Sequence, residues 1–390
     1  MLDDRSYEMS EKKKALVVTT VASTIDQFCM NDISILLDNY DVQVAANFTT
    51  GNNTSKERVN EFKSELIKKN IVFNEVEFDR NPLSKSNLRA YKKLKNIIAQ
   101  NRFDLIHCHT PIAAMFSRLA ARGARKKGTQ VIYTAHGFHF YKGAPILNWL
   151  VYYPIEKWLA RYTDTLITIN KEDYERAKSK FKAKRVEYIP GVGIDLEKFN
   201  TVEIDRALKR SQLGLPEDAF VVLSVGELNK NKNHEVVIRA LGKIDNPCIH
   251  YLVCGQGNLE GYLRNLSKEL DIENQVHLLG FRKDIPEICK IADLFAFPSY
   301  REGLSVALME AMANGLPVMC SNIRGNSDLI ESGKGGYLLE PSDVEGFAKY
   351  IKELIEDSRL TSELGGFNLE KIENYSIENV LCEMEEIYFN

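Results

Sequence analysis

The chain has 390 residues, of which 44% are hydrophobic and 27% charged, and its formal net charge at pH 7 is -3. That length exceeds what one hydrophobic core usually holds, so two domains are expected. The charge disfavours nucleic acid as a main partner, because phosphate backbones bind to strongly basic surfaces. No stretch approaches the roughly 20 apolar residues of a membrane span, and the N-terminal residues lack the apolar core of a signal peptide, so we expect a cytoplasmic protein.

Short apolar runs alternate with amphipathic stretches along the first half of the chain. The runs have the composition of strands and occupy residues 15–21, 41–48, 71–78, 104–109, 130–136, 165–170 and 185–190. The stretches with helical spacing are 24–39, 57–69, 86–100, 111–122, 145–161 and 171–180. This strand-then-helix order requires crossover connections, so it predicts a mostly parallel sheet covered by helices on both faces.

The same alternation begins again after residues 189–195, with strands at 220–226, 249–255, 275–280, 294–298, 317–322 and 336–341. We therefore predict an α/β protein with two doubly wound, Rossmann-like domains, residues 1–192 and 193–375, and a last amphipathic helix at 376–390. Open parallel sheets bind ligands at the carboxyl ends of their strands. Two such domains facing each other predict a ligand cleft between them.

Seven scattered cysteines without a Cys-x-x-Cys pair indicate reduced thiols rather than a disulfide framework. One of them, Cys108, lies between His107 and His109, which raises the question of a metal site. Side chains alternate along a strand, so the two histidines share one side and Cys108 points to the other. We predict no metal here, because ligand sets need further, spaced partners.

Two loops in the first half carry candidate contact residues. The loop after residues 130–136 contains His136 and His139, whose imidazoles can donate to a sugar hydroxyl or shift a proton near neutral pH. A structural role is the alternative for either histidine. After the first strand, the small residues Ala22, Ser23 and Thr24 would let a diphosphate or an acceptor approach the backbone.

The stretch 294–318 is the most informative part of the sequence. A short apolar run, Leu294 to Phe297, predicts a buried strand, and Ser305 offers an N-cap oxygen to a following apolar helix that ends at Gly315. Glu302 in the loop and Glu310 in the helix each offer two carboxylate oxygens, which suit a vicinal diol.

The backbone N–H groups of Gly303, Leu304 and Ser305, at the positive end of the helix dipole, suit a phosphate. One site could therefore hold a sugar, a diphosphate and a ribose. The alternative is that Glu310 and Asn314, four residues apart, form the solvated edge of a core helix.

Glu302 and Glu310, with seven residues between them in EGLSVALMEAMANGLPV, resemble the E-x7-E motif of the retaining glycosyltransferases of family four, which have the GT-B fold. The resemblance implies that Glu310 binds the ribose of a nucleotide sugar and that Glu302 contacts the transferred sugar. It implies that the backbone of Gly303 to Ser305 touches the diphosphate. It also favours His136 beside the donor sugar, and it places the last helix back on the N-terminal domain. His109 is a second candidate of lower weight.

Residues 226–234, GELNKNKNH, follow the first strand of the second domain. Lys230 or Lys232 can neutralise a departing diphosphate, although both could simply be solvated. The loop resembles the G-R-x(3,4)-K phosphate clamp of the family, with Gly226 and Lys232 at the glycine and lysine positions. Glu227 stands where many members carry arginine, so Lys230 or Arg301 would have to compensate. We also expect the next residue, Asn233, to cap the following helix.

Two further loops of the second domain follow strands. Gly255 and Gly257 predict a tight turn beside the donor, since a lone G-x-G is weak support for a phosphate site. Arg282 and Lys283 lie in a loop that in relatives borders the nucleotide base. For these two residues a plain surface charge is the alternative.

Basic and aromatic residues cluster in two neighbouring segments of the first domain. They are Arg118, Arg122, Arg125, Lys126, Lys127, Trp149, Tyr152, Tyr153, Lys157, Trp158 and Arg161. Such residues suit the headgroup region of an anionic bilayer, but a solvated helix face with packed aromatics explains them as well. The segment 136–170 also resembles the family subgroup that builds capsules, exopolysaccharides and lipid-linked glycans, which favours a peripheral enzyme at the inner membrane surface.

These observations lead to one hypothesis and two rivals. We expect a retaining glycosyltransferase that moves a sugar, an N-acetylhexosamine, from a UDP donor to a polyprenyl-diphosphate-linked acceptor. No cofactor is expected, and no divalent metal, because the chain has no Asp-x-Asp triplet. The rivals are a UDP-sugar epimerase of the same architecture and an inactive nucleotide-sugar-binding scaffold.

Overall fold

The computed structural model describes residues 12–389, which form two compact units. One unit contains the described residues up to Ile189 and those from Leu381 onward, and the other contains Pro190–Val380. Each unit is built on its own sheet, of seven and of six strands respectively. No helix in the described part of the chain is both long and apolar enough to cross a bilayer.

The first unit has a parallel sheet whose strands lie in the spatial order β3-β2-β1-β4-β5-β6-β7. In chain order these strands are β1 Lys13–Val21, β2 Tyr40–Asn47, β3 Val72–Glu75, β4 Leu105–His109, β5 Gln130–Ala135, β6 Thr165–Thr168 and β7 Arg185–Tyr188. The order reverses between β1 and β4, and such a switch point leaves a crevice at the carboxyl ends of the strands.

Eight helices of the first unit connect these strands. They are α1 Ala22–Phe28, α2 Met30–Asn39, α3 Lys56–Lys68, α4 Ser86–Asn101, α5 Pro111–Ala120, α6 Arg122–Arg125, α7 Ile146–Leu159 and α8 Lys171–Lys180. A 3-10 turn, Ala160–Tyr162, extends α7.

The second unit repeats this architecture with the strand order β10-β9-β8-β11-β12-β13. Its strands are β8 Phe220–Val225, β9 Ile249–Cys254, β10 Val276–Gly280, β11 Leu294–Phe297, β12 Val318–Ser321 and β13 Gly336–Leu339. Its helices are α9 Glu197–Asn200, α10 Arg206–Gln212, α11 His234–Ile244, α12 Glu260–Glu269, α13 Ile285–Ile291, α14 Val306–Ala313, α15 Asn326–Leu329, α16 Val344–Glu356 and α17 Ser358–Ile372. The last helix, α18 Ile377–Phe389, contains the point where the chain returns to the first unit.

Helices cover both faces of the second sheet because its strands are apolar on both sides. Leu223 of β8 packs in one core with Leu308 of α14, while its neighbour Val222 packs in another core with Phe347 of α16. Each such fully buried side chain stabilises the fold by roughly 1.5–3 kcal/mol. The predicted α/β class with two doubly wound parallel sheets is confirmed.

Two predicted elements differ from the structure. The single helix predicted at 24–39 is broken into α1 and α2, because the backbone of Cys29 leaves helical values at φ −117° and ψ −5° while its side chain is fully buried. The strand predicted at 71–78 ends at Glu75. Beyond it, Phe78 N–H donates to the carbonyl of Val76 at 2.7 Å, which turns the chain out of the sheet.

Candidate active site

The loops at the carboxyl ends of β8 and β11 bring Lys232 and Glu302 together. Lys232 Nζ donates to Glu302 Oε1 at 2.8 Å and lies 4.7 Å from the centre of the Phe297 ring. Only 20% of the lysine side chain and 14% of the glutamate side chain are exposed. Because little water screens them, the two charges attract each other more strongly than a surface pair does.

Side-chain amides join these two loops to each other. Asn231 Nδ2 donates to the carbonyl of Arg301 at 3.0 Å, and Asn233 Nδ2 donates to the carbonyl of Pro298 at 3.1 Å. The prediction that Asn233 caps α11 is wrong. Its side chain makes no cap bond, because its backbone is left-handed, with φ 55°, and its amide is used to hold the neighbouring loop.

Three glycines let the backbone segments under Lys232 approach one another. A Cβ on Gly226 would lie 3.1 Å from the lysine Cδ, and one on Gly255 would lie 1.9 Å from the carbonyl oxygen of Gly226. A Cβ on Gly257 would lie 2.3 Å from the carbonyl oxygen of Leu228. The G-x-G pair therefore serves close packing against the lysine loop, a role the sequence analysis did not anticipate.

The N-terminus of α14 presents free backbone donors. Leu308 N–H donates to Ser305 Oγ at 3.4 Å, which confirms the predicted N-cap. Among the described residues, the N–H groups of Gly303, Leu304 and Ser305 have no hydrogen-bond acceptor. They lie at the positive end of the helix dipole, so an anion bound there would satisfy them.

Glu310 is half-buried on α14, and burial raises the pKa of its carboxyl above the ordinary value, opposed by the charge of Lys198. Within residues 12–389 no hydrogen bond or ion pair engages this carboxylate. Asn314, four residues on, donates to the backbone carbonyl of Glu310 at 2.9 Å and so serves the helix end. A half-buried carboxylate without an internal partner is available to accept hydrogen bonds from a ligand.

The other predicted donor-site residues of this unit are either exposed or paired with an acidic side chain. Lys230, Glu227 and Arg301 are exposed. Arg282 Nε donates to Asp284 at 2.8 Å, and this pairing lowers the pKa of the aspartate. Lys230 is therefore solvated here, and Arg282 has an acidic partner of its own.

In the first unit, neighbouring strands β4 and β5 bring His109 and His136 together. His109 Nδ1 lies 3.2 Å from His136 Nε2, and His109 Nε2 lies 4.0 Å from Asp32 Oδ2 of α2. Burial lowers the pKa of His136 to about 4 and that of His109 well below its ordinary value, and it raises the pKa of Asp32 to about 7. Both imidazoles are therefore neutral at pH 7 and suited to hydrogen bonding rather than to carrying charge.

His107 lies on the same side of β4 as His109, with ring centres 4.0 Å apart, as strand alternation predicts. Its Nδ1 and Nε2 are 2.7 Å and 2.8 Å from the hydroxyls of Tyr388 and Thr134. Donor atoms of Asp32, His107 and His109 lie within 4.8 Å of one another, so they are near enough to surround an ion. Both nitrogens of His107 are already engaged with hydroxyls, whereas His109 Nε2 has no hydrogen-bond partner among the described residues.

A cavity of about 390 Å³ opens at the carboxyl ends of β1, β4 and β5. Polar and apolar side chains line it, and the polar ones include Thr24, Thr110, His139 and Tyr152. The loop predicted at residues 22–24 is absent, because β1 passes directly into α1. Ser23 is buried there, and its Oγ accepts a hydrogen bond from Asn53 N–H at 3.2 Å, whereas Thr24 reaches the cavity.

Comparison with known proteins agrees with this architecture. Residues 38–198 match the model of Glycosyltransferase Family 4, and residues 205–367 match that of Glycosyl transferases group 1. EpsD of Bacillus subtilis, which is named a glycosyltransferase, is 39% identical over 79% of this chain and 82% of its own length. The UDP-Gal:α-D-GlcNAc-diphosphoundecaprenol α-1,3-galactosyltransferase of Escherichia coli is 31% identical over 78% of this chain and 79% of its own.

A solved structure shares the fold at lower identity. HepE of Anabaena, crystallised in complex with UDP and glucose, superimposes with a TM-score of 0.76 at 21% identity, over 96% of this chain and 99% of that one. The chain therefore belongs to the glycosyltransferases of family four, and its fold is GT-B.

Proposed function

We propose that this glycosyltransferase moves an N-acetylhexosamine from a UDP donor to a glycan carried on a polyprenyl diphosphate. The configuration at the anomeric carbon is retained. The pair of Lys232 and Glu302, bound at 2.8 Å beside the open helix N-terminus at Gly303 to Ser305, is the observation that carries the proposal. It combines a cation and anion-binding amides, which suit a diphosphate, with a carboxylate, which suits sugar hydroxyls.

One relative supports a UDP-sugar donor and a lipid-linked acceptor. The name of the Escherichia coli relative specifies UDP-galactose and a diphosphoundecaprenol-linked acceptor. EpsD, which is more similar to this chain, is named a glycosyltransferase and supports sugar transfer as the reaction. The resemblance of segment 136–170 to the subgroup that builds exopolysaccharides supports a place in exopolysaccharide assembly. A lipid-linked acceptor would place the enzyme at the inner membrane surface.

Each residue then has a distinct task. Glu310 accepts the ribose hydroxyls, and Glu302 orients the sugar. Lys232 and the amides of Gly303 to Ser305 stabilise the UDP leaving group, and Gly226 gives the lysine room. His136, held by His109, positions the donor sugar through a neutral imidazole. Arg282 and Lys230 border the donor site without contacting the reacting atoms.

In the chemical step, the bond from the anomeric carbon to the UDP phosphate oxygen breaks and the bond to the acceptor oxygen forms on the same face. The departing phosphate oxygen takes the acceptor hydroxyl proton, which leaves UDP and the lengthened glycan. No protein base is required. Lys232 supports this route because its cation stabilises negative charge as it develops on the phosphate.

A substrate panel tests the proposal. UDP and GDP sugars are incubated with the purified chain, with and without a polyprenyl-diphosphate-linked acceptor, and the products are separated and their anomers assigned. We expect release of UDP only when the acceptor is present, with an α-linked product from an α-linked donor. Conversion of a UDP sugar without acceptor would identify an epimerase, and donor binding without any turnover would identify a scaffold.

A further inference from the structure

One face of α7 is apolar and points into solvent. Seven apolar residues of this helix are exposed. They are Ile146, Leu147, Leu150, Val151, Pro154, Ile155 and Trp158. The exposed fraction reaches 77% at Ile146 and 69% at Leu150. At 100° per residue these side chains lie next to one another on about half of the helix surface, so they form one continuous face.

The opposite side of α7 already provides the packing that the fold needs. Glu156 and Leu159 are buried there, and the Glu156 carboxylate accepts a hydrogen bond from Arg118 Nη1 at 2.9 Å. Trp149 and Tyr153 pack against Phe140, with ring centres 5.8 Å and 5.3 Å away. The outward apolar face therefore adds nothing to the core. A continuous exposed patch of this kind marks an interaction surface.

The charged side chains at the C-terminal end of this face are cations, and acids are absent from it. Lys157 and Arg161 are exposed at the end of α7. The Arg122 guanidinium lies 4.5 Å from the centre of the Tyr162 ring, and that ring is 5.3 Å from Trp158. Glu156 is the one acidic residue of segment 141–162, and its charge is neutralised by Arg118. An apolar face with a positively charged end is complementary to an anionic lipid surface.

We propose that the outward face of α7 docks this protein on an anionic bilayer, with the apolar side chains among the acyl chains and the cations at the headgroups. Tyr152 of the same helix lines the 390 Å³ cavity and stacks on His139, with ring centres 4.7 Å apart. The distance between the bilayer and the cavity would thus be about the width of α7. If the proposed function holds, the polyprenyl chain remains in the bilayer while its glycan reaches this cavity; the docking itself does not depend on that function.

Vesicle flotation of the full chain tests the docking without any substrate. We expect the wild-type chain to float with phosphatidylglycerol vesicles and to bind phosphatidylcholine vesicles about tenfold less, with binding weakened by salt. The double variant Leu147→Glu/Leu150→Glu should bind anionic vesicles at least about tenfold less than wild type. Its matched control is Ile67→Glu/Leu208→Glu, which places the same charges on exposed residues elsewhere and should float like wild type.

The chain has two tryptophans, and this allows a second measurement. In a Trp149→Phe variant only Trp158 emits, so its emission should shift to the blue on anionic vesicles and be quenched by brominated lipid. Wild type that fails to float, a Leu147→Glu/Leu150→Glu variant that floats fully, or an unshifted Trp158 would overturn the proposal. So would a dimer in solution that the double variant separates, because the face would then be a contact between copies. Loss of turnover with normal flotation would count against the proposed function alone.

Discussion

Lys232 donates a hydrogen bond to Glu302 at 2.8 Å, although the two residues lie on different loops, after β8 and after β11. The adjacent positions of these strands in the sheet bring the loops together, and Asn231 and Asn233 fasten one loop to the other. A diphosphate bound here, as we propose, would therefore meet a lysine whose position is already fixed. Preorganised charge of this kind contributes more to a transition state than a mobile surface lysine does.

Removal of the Lys232 charge tests this relationship. Lys232→Met keeps the aliphatic stem over Gly226 but removes the cation, so kcat/KM should fall by roughly 10²–10³. The exposed Lys268 provides the control, and Lys268→Met should retain full activity. Steady-state kinetics with a UDP sugar and a lipid-linked acceptor measure both variants. A loss below about threefold for Lys232→Met would show that the lysine is a bystander.

The close approach at Gly255 gives a prediction about stability. In Gly255→Ala the new methyl group would lie 1.9 Å from the Gly226 carbonyl oxygen, so the lysine loop must move. We expect a loss of a few kcal/mol in the free energy of unfolding, measured by urea titration, together with weaker UDP binding. Gly366 of α17 has open space around its Cα, and Gly366→Ala should stabilise the chain by about 0.5–1 kcal/mol. Equal stability of the two variants would contradict this packing.

Asp32 should make the folded state less stable as the pH rises. Burial raises the pKa of its carboxyl from 3.8 to about 7, so the ionised form costs folding free energy, and the cost grows as the pH rises through that interval. Asp32→Asn removes this cost, so it should raise the melting temperature more at pH 8 than at pH 5. At pH 5 ionisation of Asp32 costs less folding free energy. Asp38→Asn, on the exposed side of the same helix, should change neither value. A larger gain at pH 5 would reverse the assigned sign.

Metal chelation tests how the leaving group is stabilised. The proposed site uses Lys232 and backbone amides for the diphosphate, and the chain has no Asp-x-Asp triplet. We expect the initial rate of transfer to be unchanged by an excess of EDTA. A loss that added Mg²⁺ or Mn²⁺ restores would contradict the prediction.

Much of the fold could be predicted because its signals are local, and so could the strand and helix that carry the candidate site. The apolar run Leu294–Phe297, the cap at Ser305 and the stop at Gly315 lie within one stretch, and each has a direct physical reason. The strand-then-helix alternation is equally local, and it was sufficient to predict two parallel sheets. Strand ends and helix breaks were less accurate. The helix breaks at Cys29, whose side chain is fully buried, and the strand ends early because the chain turns between Val76 and Phe78.

The contacts that could not be predicted join distant parts of the chain. Asn233 was expected to cap a helix, but it holds a loop that follows β11. The meeting of His109 and His136 depends on β4 lying beside β5 in register, with His109 opposite Thr134. In the usual strand order of doubly wound sheets, β4 and β5 are neighbours. A histidine at the end of each strand therefore indicates that the two imidazoles lie close together. The approach of Asp32 has no such signal, because no strand register places this helix residue beside β4.

Calorimetric titration of UDP into the wild-type chain and into Glu310→Gln is the most direct test of the donor site. Glu310 has no partner within the described residues, and burial raises the pKa of its carboxyl, so the charge is held at a cost to stability. We predict saturable UDP binding by wild type, affinity at least about tenfold lower in Glu310→Gln, and no loss of melting temperature in that variant. Wild-type affinity in Glu310→Gln, or no UDP binding by the wild-type chain, would contradict the assignment of this site.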